Sequence, residues 1–350
     1  MQEQSPSYMT ARSSYTALQN ITRNLRRNTM PVLPPALGFD GHDDYVAQLE
    51  IWKNWIAWEK DDPLVLKDED RKAHQERIVY VYKQALMALR FWPEMWFDAA
   101  EFCFSEGLDE EGSDFLVQGI AANPESCLLA FKQADRIELK TATEEGDEAV
   151  IRRGAAARAP FNKLLDALYE LISKAKTRET QEIARIEADF ALQKEQQSII
   201  RAEEEDDENN DNDAQLAELE KRKAANVEAV QSSSAAHVML LRSTLTHAWI
   251  ALMRSMRRIQ GKGKVGDPIG GSRQIFTDAR KRGRVTSDVY VESAMIEFHC
   301  YEAEAARKIF DRGLKLFPDD ELFALAYIRH LIDINDHTSK VPLSRLTLHG

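Results

Sequence analysis

Paired amphipathic segments that recur along the chain constrain its fold more than any other feature. The first pair opens with Trp52, Trp55 and Glu59, whose W-x2-W-x3-E spacing places the three side chains on one face of a helix. The segment that follows, residues 77–93, also has its apolar side chains on one face and ends at Pro93, which cannot continue a helix. The pair therefore predicts a helical hairpin.

The hairpin pattern returns at a shift of about 34 residues. At this shift Val81 aligns with Phe115, and Ala85 aligns with Gly119. A period of this length in paired helices is typical of arrays in which each hairpin buries its apolar face only against its neighbours. The sequence therefore predicts an all-α protein, a right-handed α-solenoid, which holds partners rather than converting substrates.

The positions that define the repeat are expected to serve packing. Aromatic members should lie in the core, small members where helices approach closely, and prolines at helix ends. Glu59 and Glu297 are expected to form a hydrogen bond or ion pair with the partner helix. The full set comprises Trp52, Trp55, Glu59, Tyr82, Ala85, Pro93, Trp96, Pro124, Tyr290, Glu297, Phe310, Gly313 and Pro318.

The repeat is interrupted from about residue 140 to about residue 235. Helix-forming sequence on both sides of a strongly acidic run predicts two helices of adjoining repeats, each prolonged and projecting. The run from Glu203 to Asp213 cannot bury itself, so a disordered loop is expected near residues 202–214. A solvated connection is the preferred interpretation, and an acidic docking site for a basic partner is the alternative.

One basic cluster stands out in a chain whose net charge is −12, a balance that gives no general attraction to nucleic acid or to anionic membranes. Cations at helix ends on a solvated edge are the preferred interpretation. A contact with RNA phosphates or with an acidic protein is the alternative. The cluster consists of Arg254, Arg257, Arg258, Arg280, Lys281, Arg282 and Arg284.

A search for chemistry yields no catalytic, cofactor-binding or metal-binding residues. Gly266 and Gly271 have the spacing of a phosphate-binding loop, but Ser272 and Arg273 stand where such a loop needs Lys and Ser or Thr. The glycines are better explained by a turn before a helix that Ser272 would cap. We therefore expect no enzymatic activity, no small-molecule substrate and no membrane partner.

The hairpin motif resembles the HAT (half-a-tetratricopeptide) repeat of RNA-processing proteins. Longer strings are similar to the suppressor-of-forked family, which supplies the large HAT subunit of cleavage stimulation factor and its fungal counterpart in cleavage factor IA. These strings are WKNWIAWEKDDPL, VYKQALMALRFWPEMWFDAAEF, GSRQIFTDAR, VYVESAMIEFHC, AARKIFDRGLKLFPDD and LAYIRHLIDIND.

The resemblance implies a non-enzymatic scaffold of the nuclear machinery that cleaves and polyadenylates pre-mRNA. It also implies dimerisation through the C-terminal HAT half, contacts with other cleavage and polyadenylation factors, and at most indirect or weak contact with pre-mRNA. The nucleus is the expected location, with the cytoplasm as a further one. The alternatives are a HAT scaffold in splicing or ribosome biogenesis, and a module that binds RNA directly through residues 254–284.

The resemblance also predicts the domain organisation. Residues 1–40 would hold a helix and a proline-containing linker from the preceding HAT half, and residues 41–140 and 241–336 would form HAT repeats. Residues 141–240 would form the extended helices, and residues 337–350 a disordered tail outside the family pattern. Because most of the N-terminal HAT half is missing, the chain is expected to be a fragment or truncated product.

Overall fold

The computed structural model describes residues 6–27, 30–140, 146–203 and 209–334, which fall into two compact units, residues 1–142 and 143–350. Within those ranges the chain forms twelve helices and no strand. The all-α class that the sequence predicted is therefore confirmed. None of the described helices is long and apolar enough to cross a membrane.

The first unit contains six helices in hairpin order. They are α1 (Pro6–Ile21), α2 (His42–Lys60), α3 (Arg71–Ala88), α4 (Pro93–Ser105), α5 (Asp109–Ala122) and α6 (Cys127–Lys140). The face of α2 that carries the opening motif points inward, with Trp52 and Trp55 buried beside Leu49 and Ile56. Local chemistry sets the helix starts: the Asp70 side chain accepts a hydrogen bond from the Ala73 amide, and Pro93 is the first residue of α4.

The second unit also contains six helices. They are α7 (Asp147–Glu203), α8 (Asn209–Gln260), α9 (Gly271–Arg282), α10 (Asp288–Cys300), α11 (Ala303–Leu316) and α12 (Glu321–Asp333). The last three surround an aromatic cluster in which Phe310 stacks on Tyr327, with 4.7 Å between ring centroids. Asp320 caps α12 by accepting a hydrogen bond from the Phe323 amide.

The two long helices form an antiparallel coiled-coil arm. Ser234 donates a hydrogen bond to Glu179 over 2.7 Å, and nearer the turn Lys223 lies 3.9 Å from Glu187. The half-buried seam of α8 has successive spacings of three, four and four residues, an 11-residue repeat, at Leu216, Leu219, Lys223, Val227, Val230, Ser234, Val238 and Leu241. Among the side chains of α7 that the structure describes, up to residue 196, none beyond Ile172 is fully buried, and the helix continues for about 30 residues, or ~45 Å, past this point.

The acidic connection is shorter than the sequence predicted. Helix α7 continues through Glu203, and α8 begins at Asn209, so the ends of the expected 202–214 loop belong to helices. Residues 204–208, like the expected tail at 337–350, lie outside the described residues.

The turn between α8 and α9 is a close crossing of two backbone segments. The Ser272 amide donates to the Gly261 carbonyl over 3.1 Å, and the Lys264 amide donates to the Ile269 carbonyl. The predicted N-cap role of Ser272 is wrong, because α9 begins one residue earlier at Gly271 and Ser272 is buried in its first turn. Glycines allow the two backbone segments to approach this closely, because a Cβ on Gly263 would meet the backbone of Gly270.

Candidate functional site

The opening motif of α2 forms one buried cluster. The rings of Trp52 and Trp55 stack with 5.5 Å between centroids and 11° between planes. Trp55 Nε1 donates a hydrogen bond to Glu59 Oε1 over 3.2 Å. Only 4% of Glu59 is exposed, so this carboxylate needs partners inside the protein.

Arg77 of α3 supplies those partners. Its Nε donates to Glu59 Oε2 and its Nη2 to Glu59 Oε1, each over 3.0 Å. This paired geometry holds the charge of Glu59 with two directed hydrogen bonds. Glu59 thus lies in the ion pair to its partner helix that the sequence led us to expect, whereas the role of Arg77 was not predicted.

Removing the cation should destabilise the hairpin. We expect Arg77→Met to lower the free energy of unfolding by about 1–3 kcal/mol, because the buried Glu59 carboxylate would keep only the Trp55 donor. Urea unfolding followed by tryptophan fluorescence measures the change. Lys53→Met is the matched control, since Lys53 pairs with Glu50 on the exposed face of α2 and its loss should change the value by less than about 1 kcal/mol. Equal effects would contradict the assigned role of Arg77.

Glu297 of α10 is held in the same way but by a different helix. Arg273 Nε donates to Glu297 Oε1 over 2.6 Å and Arg273 Nη2 to Oε2 over 2.7 Å. Hydrogen bonding to Glu297 raises the pKa of the Arg273 guanidinium. We expected the partner of Glu297 to lie on α11, the other helix of its hairpin. This expectation is wrong, because Arg273 lies on α9, the helix before α10. The α9–α10 contact brings the guanidinium to the carboxylate, and neighbouring hairpins are thereby joined.

Two further hairpins keep the motif without its carboxylate. Trp52 and Glu59 are seven residues apart. The same interval separates Trp96 from Cys103 in α4 and Trp249 from Met256 in α8. Cys103 and Met256 are both buried. Burial raises the pKa of the Cys103 thiol to about 11, with a further contribution from Glu111. The place of Trp249 in the motif was missed in the sequence, although its spacing to Met256 was a usable signal.

The other predicted repeat positions also lie in helix contacts. Tyr82, Ala85, Trp96, Tyr290 and Phe310 are buried. A Cβ on Gly313 would meet the Phe323 ring, so that position requires the smallest residue. Pro124 and Pro318 follow the ends of α5 and α11.

The basic cluster is divided between two sets of partners, the first of which lies on α10. Arg254 donates to both carboxylate oxygens of Glu292, over 2.6 and 2.7 Å. Arg257 Nη1 lies 3.5 Å from Cys300 Sγ. These contacts tie the end of α8 to α10, so two predicted RNA-contact residues are engaged within the fold.

The second set ties the end of α9 to α7. Arg282 donates to Asp166 over 2.9 Å and lies over the Tyr169 ring, 4.1 Å from its centroid. Arg284 donates to Ser173 Oγ, while Arg280 lies over the Phe276 ring of its own helix. Lys281 and Arg258 are exposed at the same helix ends. The geometry favours structural ties over a continuous phosphate-binding surface.

The described side chains offer no obvious reaction centre. In the ranges given above, no three His, Cys, Asp or Glu residues are placed to hold a metal ion. The buried carboxylates Glu59 and Glu297 are both occupied by arginines. What the arrangement provides is a set of rigidly joined hairpins with polar surfaces.

A family model agrees with these features. The model described as suppressor of forked protein (Suf) matches residues 1–343. The match includes the long helices, which the sequence alone did not mark as family-defining. It also extends seven residues into the segment from 337 that was expected to lie outside the family, and that expectation is therefore corrected.

Fungal relatives match almost the whole chain. The mRNA 3'-end-processing protein rna14 of Aspergillus fumigatus is 60% identical over 336 residues, which is 96% of this chain and 32% of the relative. The rna-14 protein of Neurospora crassa is 49% identical over 97% of this chain and 29% of its own length, and RNA14 of Yarrowia lipolytica is 29% identical over 99% and 34%. The chain thus spans about a third of the length of the curated relatives that it matches.

Proposed function

The chain belongs to the suppressor of forked family, and on this premise we propose that it is a non-enzymatic HAT-repeat scaffold of the pre-mRNA 3'-end cleavage and polyadenylation machinery. It acts in the nucleus, where that machinery meets its substrate. Its partners are other cleavage and polyadenylation factors, which it bridges, and a second copy of itself.

The observation that carries the proposal is the 60% identity, over 96% of the chain, to a relative named as an mRNA 3'-end-processing protein. The geometry supports a scaffold. A buried ion pair joins helices at Glu59 in the first unit and at Glu297 in the second, so within each unit the surfaces of neighbouring helices keep a constant spacing.

The proposed mechanism is avidity. Two copies present paired binding surfaces, which raises the local concentration of each bound factor relative to the others. Contact with pre-mRNA is indirect in this scheme, because Arg254 and Arg282 of the basic cluster are already paired with Glu292 and Asp166. Direct RNA binding through this cluster is therefore not part of the proposal.

Rapid depletion tests the function. The gene is tagged with a conditional degron, and transcript 3' ends are mapped by sequencing soon after depletion. We expect transcription to read through normal cleavage sites, since the scaffold that assembles the cleavage factors is lost. Unchanged 3' ends together with retained introns or accumulated ribosomal RNA precursors would overturn the proposal in favour of splicing or ribosome biogenesis.

Light scattering on the purified chain tests the dimer separately. At micromolar concentration we expect twice the mass of one chain. A strict monomer would remove dimerisation from the proposal for this segment and leave the 3'-end role to be decided by the depletion experiment.

A further inference from the structure

A groove in the first unit, between α3 and α5, has the properties of a docking site. It forms a cavity of about 510 Å³, bordered by Lys83, Met87 and Arg90 on one side, by Phe115, Gln118 and Ala121 on the other, and by Pro31 of the segment before α2. The 34-residue period explains the two walls, because the same shift relates Gln84 to Gln118 and Met87 to Ala121. A groove between successive second helices of an array is long and follows the helix direction.

Apolar side chains make up most of the groove's lining. Met87 is 49% exposed on the α3 side and Ala121 is exposed on the α5 side, while Trp96 and Phe115 form its buried floor. The two floor rings meet edge to face, 6.3 Å apart. Exposed apolar side chains over a preformed aromatic floor favour a ligand that brings apolar side chains of its own.

Two cations stand beside these apolar side chains without acidic partners. Lys83 lies on α3, and Arg90 lies in the turn two residues past the end of that helix. Neither forms an ion pair with any residue for which the structure gives a side chain, whereas Arg71, Lys72 and Arg77 of the same helix are all paired.

The lining residues of the opposite wall offer these cations no ion pair. Phe115, Gln118 and Ala121 are uncharged, and the nearest acidic residues on α5, Glu111 and Asp114, lie on the turn before. Lys83 and Arg90 thus form a local positive site beside apolar side chains, although the net charge of the chain is −12. A partner with carboxylates would complement this site.

We propose that this groove binds an amphipathic acidic helix of a protein partner. Apolar side chains on successive turns enter between Met87 and Ala121, and carboxylates that flank them meet Lys83 and Arg90. A protein fits better than RNA, because the walls are mainly apolar and only two available cations line the groove. The inference gives the bridging role proposed above a specific surface, and in that respect it rests on it.

A designed peptide tests the groove directly. The probe is a fluorescein-labelled, alanine-rich helix of about 16 residues with Glu at i and i+7 and Leu at i+3 and i+4, the pattern that matches the groove. Fluorescence anisotropy with the purified full chain should show saturable binding. The double variant Lys83→Glu/Arg90→Glu should weaken binding at least about tenfold, because attraction becomes repulsion.

Matched controls distinguish a charge effect at the groove from a general effect of the charge of the protein. Lys72→Glu makes the same type of change on the same helix but at the far end from the groove, and should leave binding unchanged; circular dichroism verifies that all variants are folded. A peptide with Lys in place of both Glu residues should bind more weakly than the acidic one. Equal binding of both peptides, or no binding of the acidic one at about 0.5 mM, would overturn the proposal.

The last experiment tests whether the groove binds RNA instead of a peptide. A labelled poly(U) RNA of about 20 nucleotides should not bind at the groove. RNA binding that is lost in Lys83→Glu/Arg90→Glu would overturn the peptide proposal in favour of a phosphate-binding surface. Because every measurement uses purified chain, failure here would leave the 3'-end role to the depletion experiment.

Discussion

Replacing Trp52 by alanine is expected to lower the free energy of unfolding of the first unit by about 3–5 kcal/mol. The side chain is 3% exposed and stacks on Trp55, so its removal leaves a cavity and frees one face of the neighbouring ring. Trp55 also donates to Glu59, and a shift of its ring would weaken the buried carboxylate's contacts. Urea unfolding gives the value from the fluorescence midpoint, since five of the six tryptophans lie in the first unit.

Trp58→Ala is the matched control. It removes the same residue type from the same helix, but Trp58 is only half-buried and its truncation should cost about 1–2 kcal/mol. A loss at Trp52 no larger than that at Trp58 would show that the repeat motif does not hold the hairpin together.

Replacing Gly263 by alanine is expected to destabilise the second unit by about 2–4 kcal/mol. Its φ of +63° is in the left-handed region, and a Cβ would meet the backbone of Gly270 and Gly271. A side chain in the way could rotate aside, but a backbone cannot, so the α8–α9 turn must open. Urea unfolding by circular dichroism measures the loss, and faster trypsin cleavage after Lys262 or Lys264 in the native state reports the opening.

Gly266→Ala is the control that distinguishes backbone strain from the clash of a Cβ with the backbone of Gly270 and Gly271. Gly266 lies in the same turn with a φ of +91°, but a Cβ there would meet nothing within 4 Å. It should therefore show only the backbone strain, about 1–2 kcal/mol. Equal losses in the two variants would mean that the close crossing of the backbone contributes nothing.

Much of the fold could be predicted because it depends on patterns within single helices. The W-x2-W-x3-E spacing placed Trp52, Trp55 and Glu59 on one buried face, and the 34-residue shift correctly matched Ala85 with Gly119. The bounds expected for the acidic loop were too wide, because composition alone could not show that α7 continues through Glu203 and that α8 begins at Asn209.

The candidate interaction surfaces were much less predictable. The basic cluster falls within 31 residues of sequence, yet Arg254 meets Glu292 and Arg282 meets Asp166, which lie 38 and 116 residues away. The unpaired cations Lys83 and Arg90 drew no attention in the sequence, because their availability depends on which carboxylates the fold brings near the neighbouring Arg71, Lys72 and Arg77.

The sequence by itself determined the helical class, the hairpin period, the buried aromatic positions and the resemblance to the family, since periodicity and spacing are local properties of the chain. Only the tertiary structure decided that Arg273 of the preceding helix holds Glu297, that the basic cluster ties helices together, and that Gly263 passes against Gly271. These outcomes depend on distances between residues far apart in the chain, and stacking of the helices sets those distances.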